Sequence, residues 1–324
     1  MKKVISIVLV CLLAMIVLVS CGKEDPGVSV PDEPVPAQDG TGFGTDNNAS
    51  ATKDNNAPAT QNDPAQTAGD FDSSRVIAVF TREDGSGTRD AFVSLTGVGD
   101  DMYVEAVVES ETNQILSKVE ENNYAIGYVS VGSLNPNVKA LDIDGVTPSN
   151  ATILDGSYKL SRPFLICMNE DNIDNALVKD FLSFILSVEG QEVVGTKWTK
   201  LDNNAVAYAS GGLSGTLKVG GSTSVEPLMQ SLSQAYKALN PSVDIEISGG
   251  GSGTGISEAT NGVLNIGMSS RALKDNEKEA LTGYQIALDG VAVIVNPANP
   301  ISALTIDQVR EIFVGEVTRW AAAG

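Results

Sequence analysis

The sequence predicts an α/β protein with two folded bodies, and three observations carry the prediction. Short apolar runs of strand type alternate with stretches whose apolar residues recur at helical spacing. Glycine- and hydroxyl-rich turns sit where several of those strands pass to a helix. The 324 residues are enough to bury two separate cores. Strands alternating with helices indicate mixed or parallel sheets.

In chain order, residues 1–20 read as a secretion signal: Lys2 and Lys3 precede the apolar run "VISIVLVCLLAMIVLV", and "LVSC" follows at 18–21. The competing reading is an anchoring helix, but the run is short for a span and meets a polar tract at once. Residues 21–72 are Asp, Asn, Pro, Gly, Ala, Thr and Ser with few large apolar side chains. Such a segment cannot bury enough surface to offset its ordering entropy, which predicts a disordered tether.

From Arg75 the pattern changes. "RVIAVF" (75–80) is of strand type, "TRDAFVSLTG" helical and closed by Gly97, "ETNQILSKVEENN" helical, and "YAIGYVSVG" β-like. "NALVKDFLSFILSVEGQEVV" has the three- and four-residue steps of one amphipathic helix. Residues 206–214, within "VAYASGGLSG", read as a linker. Beyond it "GTLKVG" and "VDIEIS" suit strands around the helix "VEPLMQSLSQAYKAL". "YQIALDGVAVIVNP" is a long β segment, and "TIDQVREIFVG" is a helix opening at Thr305 and ending at Gly315.

Composition removes whole classes of function. A formal net charge of -20 argues against nucleic acid, whose phosphates demand a basic footprint. With no histidine, the chain has no Ser-His triad and lacks the commonest zinc ligand and general base. Of three cysteines, Cys11 would leave with the signal, and Cys167 in the apolar run "FLICM" is read as a small core residue.

Four turns share one chemistry: "DGSGT" (84–88), "GGSTS" (220–224), "GGGSGTG" (249–255) and "GMSS" (267–270). The first three open helices. Glycine there lets the backbone approach a ligand, unpaired N–H groups point outward, Ser and Thr add hydroxyl donors, and the helix dipole favours an anion. The chemistry predicted is an oxyanion cradle that needs no basic surface. A nucleotide P-loop requires a Lys that neither glycine run offers, and the dinucleotide pattern GxGxxG fails at Thr254. Any single turn could be an ordinary helix cap; four in one chain, one preceded by Arg82, favour the site. Arg82 is read as a guanidinium aimed at the anion and oriented by Asp84. Arg89 and Arg271 stay open between ligand-facing and solvated.

The motifs "GGSTSVEPL", "GGGSGTGI", "NIGMSSR", "ALDGVAVIVNP", "TIDQVREIFVGEVTRW", "REDGSGTRDAF", "AIGYVSVG" and "SRPFLI" together resemble the phosphate-binding proteins of phosphate ABC transporters, over nearly everything from Arg75 to Gly324. The resemblance implies a type II periplasmic-binding-protein fold, two α/β lobes hinged around one inorganic phosphate. It implies no cofactor or metal, no catalysis, a monomer, and the subunits of an ABC permease as partner. "LVSC" resembles the lipobox of bacterial lipoproteins, which implies lipid on Cys21 and an extracytoplasmic place with the membrane touched through that lipid alone. Carried over by motif, Thr223, Ser224 and Ser252 would contact phosphate from one lobe, and Arg82, Ser86, Gly87 and Thr88 from the other. Ser270 stands where well-described members carry an aspartate that accepts the proton of hydrogen phosphate, so sulfate would be rejected less strongly here.

The order of motifs also departs from the family. "GSTSV" normally comes first and "GSGTRDAF" later, whereas this chain begins with the later half and ends at "VTRWAAAG". The expectation is a circular permutation, with the old termini joined through 206–214. One lobe would combine 75–155 with 289–324 and the other 156–205 with 215–288, with hinges near "SYKLSRPF" and "ALDGVAV". The alternative is a piece of a longer tandem array whose halves pair with missing partners. For function the alternatives are a phosphate sensor or surface adhesin retaining the fold, and a serine-dependent hydrolase or phosphotransferase. Against the enzyme stand the missing histidine and the lack of a convincing Ser-x-x-Lys pair or clustered metal ligands.

Overall fold

A single strand of fourteen residues, Thr282–Val295, organises the protein by changing partners halfway along its length. The computed structural model describes residues 71–201 and 205–323. The signal, Cys21 and the tether up to residue 70 lie outside the described residues.

The elements run β1 (Ala78–Arg82), α1 (Gly87–Thr96), β2 (Val107–Glu109), α2 (Thr112–Glu121), β3 (Ala125–Ser130), β4 (Lys139–Ala140), β5 (Asp142–Ile143), α3 (Asn150–Leu154), β6 (Ser161–Met168), α4 (Glu170–Ile173), α5 (Ala176–Ile185) and α6 (Val188–Val194). After an irregular stretch come β7 (Gly215–Gly221), α7 (Glu226–Leu239), β8 (Val243–Gly249), α8 (Ser252–Thr260), β9 (Ile266–Ser269), α9 (Asp275–Lys278), β10 (Thr282–Val295), β11 (Ala303–Leu304) and α10 (Ile306–Phe313).

The main sheet is mixed, in the order β2-β1-β3-β10-β6-β9-β7-β8, with β4 also on β10. From Thr282 to Gly290, β10 runs antiparallel to β6; from Val291 to Val295 it runs antiparallel to β3. Each half is covered by its own core. Phe164, Ile166, Phe181, Phe184, Leu217, Leu228, Tyr236 and Ile286 belong to one. Phe92, Tyr128, Tyr158, Val291, Val293, Phe313 and Trp320 belong to the other, with a smaller cluster around Ile115, Val119 and Ala292 on the opposite face of its strands. Burying such side chains is worth about 1.5–3 kcal/mol apiece, the main force holding each body. Cys167 is buried and free, and burial pushes its thiol up to about 12, which fits a core role.

Two sequence expectations are corrected in detail. The first strand begins at Ala78, because Val76 instead bridges Arg319 while Phe80–Arg82 pair in register with Val107–Glu109. The single helix expected over 175–194 is two: Ser187 takes the carbonyl of Phe184 with its hydroxyl and accepts the Gly190 amide, so a new helix is capped where the apolar spacing continues unbroken. Other signals act where they stand. Gly97 closes α1 at φ 73°, and Thr305 with Gln308 forms the capping box that opens α10. Residues 205–214 have no helix or strand but are fastened: Tyr208 donates to Asp180, which also accepts from Tyr236, both at 2.6 Å, and Ser210 bonds Asn240.

Candidate functional site

Four helices bring their N-terminal turns to one place, each for a local reason. Ser86 caps α1 by accepting the Arg89 amide, which leaves Thr88 at the mouth of that helix. Glu111 and Gln114 box the start of α2, placing Thr112 at its first turn. Ser222 accepts the amides of Ser224 and Val225 ahead of α7. Gly251, at φ 88°, makes the turn into α8 that a side chain would strain, and Ser252 is the next residue. Ser270 follows directly on β9.

The side chains meet across the cleft. Thr88 Oγ1 lies 2.8 Å from Ser224 Oγ, and Thr112 Oγ1 lies 3.2 Å from Thr223 Oγ1 and 3.3 Å from Ser224 Oγ. Ser252 Oγ accepts the Ser270 amide at 3.1 Å and sits 3.4 Å from its hydroxyl. The turn of 84–88 and that of 249–255 touch directly: the Gly253 amide donates to the Gly85 carbonyl at 2.9 Å. At Gly87 an added Cβ would fall 2.2 Å from Ser252 Oγ and 2.8 Å from Ser270 Oγ, so the approach requires glycine.

Arg82 is 1% exposed and ties both sides together. It donates to Thr112 at 3.3 Å, to the Ser110 carbonyl at 3.0 Å and to Thr223 at 3.1 Å. Its orienting carboxylate is Glu83, which accepts from Nε at 2.9 Å and Nη2 at 3.0 Å, and not Asp84. β1 ends at Arg82, and the turn folds Glu83 back over the guanidinium while Asp84 stands 95% exposed, paired with Arg89 at 3.0 Å. Arg89 also donates to the Arg82 carbonyl, so it braces the turn. Arg271 is bound to Glu277 and, at 2.7 Å, to Asp90 on α1. The predicted residues Arg82, Gly87, Thr88, Thr223, Ser224, Ser252 and Ser270 are thus brought together. Ser86 directly precedes Gly87, and its hydroxyl accepts the Arg89 amide as the helix cap.

Sequence reading missed Thr112, Glu83, Arg162 and Asp289. Thr112 carried a signal, a hydroxyl at the start of a helix, but without glycine before it. Arg162 and Asp289 stood inside quoted motifs; their pairing comes from the β6–β10 register, which matches Asp289 with Arg162. Burial raises the Asp289 carboxyl, opposed first by the adjoining guanidinium. Beside the cluster lies a cleft of about 540 Å³ bordered by Glu83, Thr112, Thr223, Glu226 and Gly250. Burial, with the nearby Glu111 charge, raises the Glu226 carboxyl. Among the described residues no group of three or more acidic or thiol ligands could hold a metal ion.

Chemically, the site is a set of main-chain amides, hydroxyls and guanidinium N–H groups. The site hydroxyls bond other hydroxyls, amides and guanidinium groups, none of which can act as their base. Such a cluster suits a small oxyanion that can take over the hydroxyl contacts.

The PBP superfamily domain matches the chain in two stretches, residues 54–189 and 206–324. Phosphate-binding protein PstS 2 of Streptococcus pneumoniae serotype 4 is 44% identical over 257 residues, 76% of this chain and 88% of that protein. Phosphate-binding protein PstS 2 of Streptococcus agalactiae serotype V is 40% identical over 259 residues, 77% and 88% of the two chains. The crystal structure of a phosphate ABC transporter phosphate-binding protein from S. pneumoniae TIGR4 has a TM-score of 0.64 at 43% identity, covering 77% of this chain and 100% of that one.

Proposed function

Since the chain belongs to the PBP superfamily, and within it to the PstS family of phosphate-binding proteins, we propose that it captures inorganic phosphate between its two walls and delivers it to the permease of an ABC importer. The observation that carries the reading is the convergence of Arg82 and Thr88 with Thr223, Ser224 and Ser252 at the N-terminal turns of three helices. Charge-assisted hydrogen bonds in a water-poor cleft are worth about 1.5–3 kcal/mol each, so a few suffice for tight capture without any net positive field. The ligand's contacts to both walls favour the closed arrangement, and no covalent bond changes. Protein stripped of phosphate should release heat on titration with phosphate; silence toward phosphate ends the reading.

The finer features rest on sequence. Lys2, Lys3, the apolar run and "LVSC" support a lipoprotein held outside the membrane by Cys21. Among the described residues no helix is long and apolar enough to cross a membrane. Lipid on Cys21 requires a mass increment that Cys21→Ser abolishes, and equal masses would refute it. Circular permutation is supported by the order of the motifs along the chain. A chain rebuilt as 215–324 followed by 75–205 should then fold and bind one phosphate as a monomer; a dimer that exchanges halves would favour the tandem-array reading instead.

A further inference from the structure

Arg162 is a second guanidinium at the site, and no phosphate-turn motif contains it. It lies on β6 opposite Asp289 of β10, next to the step at which β10 leaves Ser161 and turns to Ser130 of β3. Arg162 is 3% and Asp289 2% exposed. Nε lies 3.0 Å and Nη2 2.9 Å from Asp289 Oδ2, while Oδ1 accepts from the Ser130 hydroxyl at 2.8 Å and the Gly132 amide at 3.4 Å. The remaining arm of the guanidinium, Nη1, donates to Thr88 Oγ1 at 2.8 Å. Nη2, off hydrogen-bond alignment with Oδ2, is buried without an aligned acceptor.

A guanidinium can only donate, and a hydroxyl has one hydrogen and two lone pairs. The bond from Arg162 therefore occupies a lone pair of Thr88 and leaves the Thr88 hydrogen to be directed elsewhere, toward Ser224 or a ligand oxygen. We infer that Arg162, clamped by Asp289, is a positioning residue that fixes Thr88 as a hydrogen-bond donor, so that this corner of the site selects a deprotonated oxygen of a tetrahedral oxyanion. The inference rests on the phosphate reading. Its advantage is preorganisation: the direction of the hydroxyl is settled before the anion arrives, so binding does not have to reorient it.

The test is a double-mutant cycle read by calorimetric titration of the phosphate-stripped chain with inorganic phosphate. Arg162→Lys keeps a cation beside Asp289, so the fold should survive, but one ammonium cannot hold Asp289 and also reach Thr88. Arg162→Lys and Thr88→Val should each weaken phosphate by about 10-fold, and the double variant by no more than about twice the worse single one. Losses that multiply to about 100-fold in the double variant, or parental affinity in Arg162→Lys, overturn the inference while leaving the phosphate reading intact. A parent chain silent toward phosphate overturns both. Should Arg162→Lys fail to fold, Arg162→Met with Asp289→Leu removes the pair as a unit and completes the same cycle.

Discussion

The wall built from β1, α1 and α2 presents Arg82, Thr88 and Thr112, and its guanidinium is held in place by the carboxylate of Glu83. The facing wall, built from α7, α8 and the end of β9, presents Thr223, Ser224, Ser252 and Ser270, all neutral and all positioned by main-chain turns. One side depends on a buried charge that needs a counter-charge; the other depends on backbone conformation alone. Each guanidinium near the cleft, Arg82, Arg89, Arg162 and Arg271, has a carboxylate against it. Net positive charge therefore cannot be what attracts an anion to a chain of formal charge -20. Attraction has to come from short-range donors aimed in advance, which act only once the two walls meet.

The contrast can be broken from the charged side first. Arg82→Met removes the buried guanidinium and leaves Glu83 without its partner, so phosphate affinity should fall about 100-fold by calorimetry. A loss under about three-fold would show that the hydroxyl wall is sufficient by itself. The next largest effect should come from steric separation of the walls. Gly87→Ala places a methyl 2.2 Å from Ser252 Oγ, so the walls must shift apart and phosphate should weaken about 10-fold. Unchanged affinity would mean the walls do not close to the distances described.

Smaller effects should sharpen the comparison at its edge, where Arg271 of the hydroxyl side reaches Asp90 of the charged side at 2.7 Å. Asp90→Asn should cost about two-fold in phosphate affinity at low salt and nothing measurable at 1 M salt, since partly exposed pairs are screened. The same arginine holds the Glu277 carboxyl below its ordinary value of 4.5, first through their hydrogen bonds. A depressed carboxylate contributes stability that is complete above the unfolded value and lost as pH falls through the folded one. The melting temperature of the parent should therefore exceed that of Glu277→Gln at neutral pH and converge with it below about pH 4.5. A constant gap from pH 7 to pH 3 would assign Glu277 a packing role.

How far the site could be read from sequence follows the same division. The hydroxyl wall was legible almost residue by residue, because Gly-Ser-Thr runs before apolar-periodic segments specify a turn and a helix start from neighbours a few positions apart. Thr112 was overlooked because its turn uses Glu111 and Gln114 in place of glycine. On the charged wall Arg82 was identified but its carboxylate was misassigned to Asp84. Which of two adjacent acids folds back depends on where β1 stops, and pairing with β2 settles that.

The sequence by itself determined the alternation of strands and helices, the glycine and serine turns, the caps at Thr305 and Gly97, and the burial of Cys167. All of these are encoded within a turn or two of chain. Only the tertiary structure decided that α5 and α6 are separate helices, that Glu83 holds Arg82, and that Arg162 meets Asp289 and Thr88. Those pairings join residues far apart in the chain, and they exist only once β10 has taken its register against β6 and β3. A strand register that slips by one residue would turn Asp289 to the other face of the sheet, which is why no local pattern could have announced the pair.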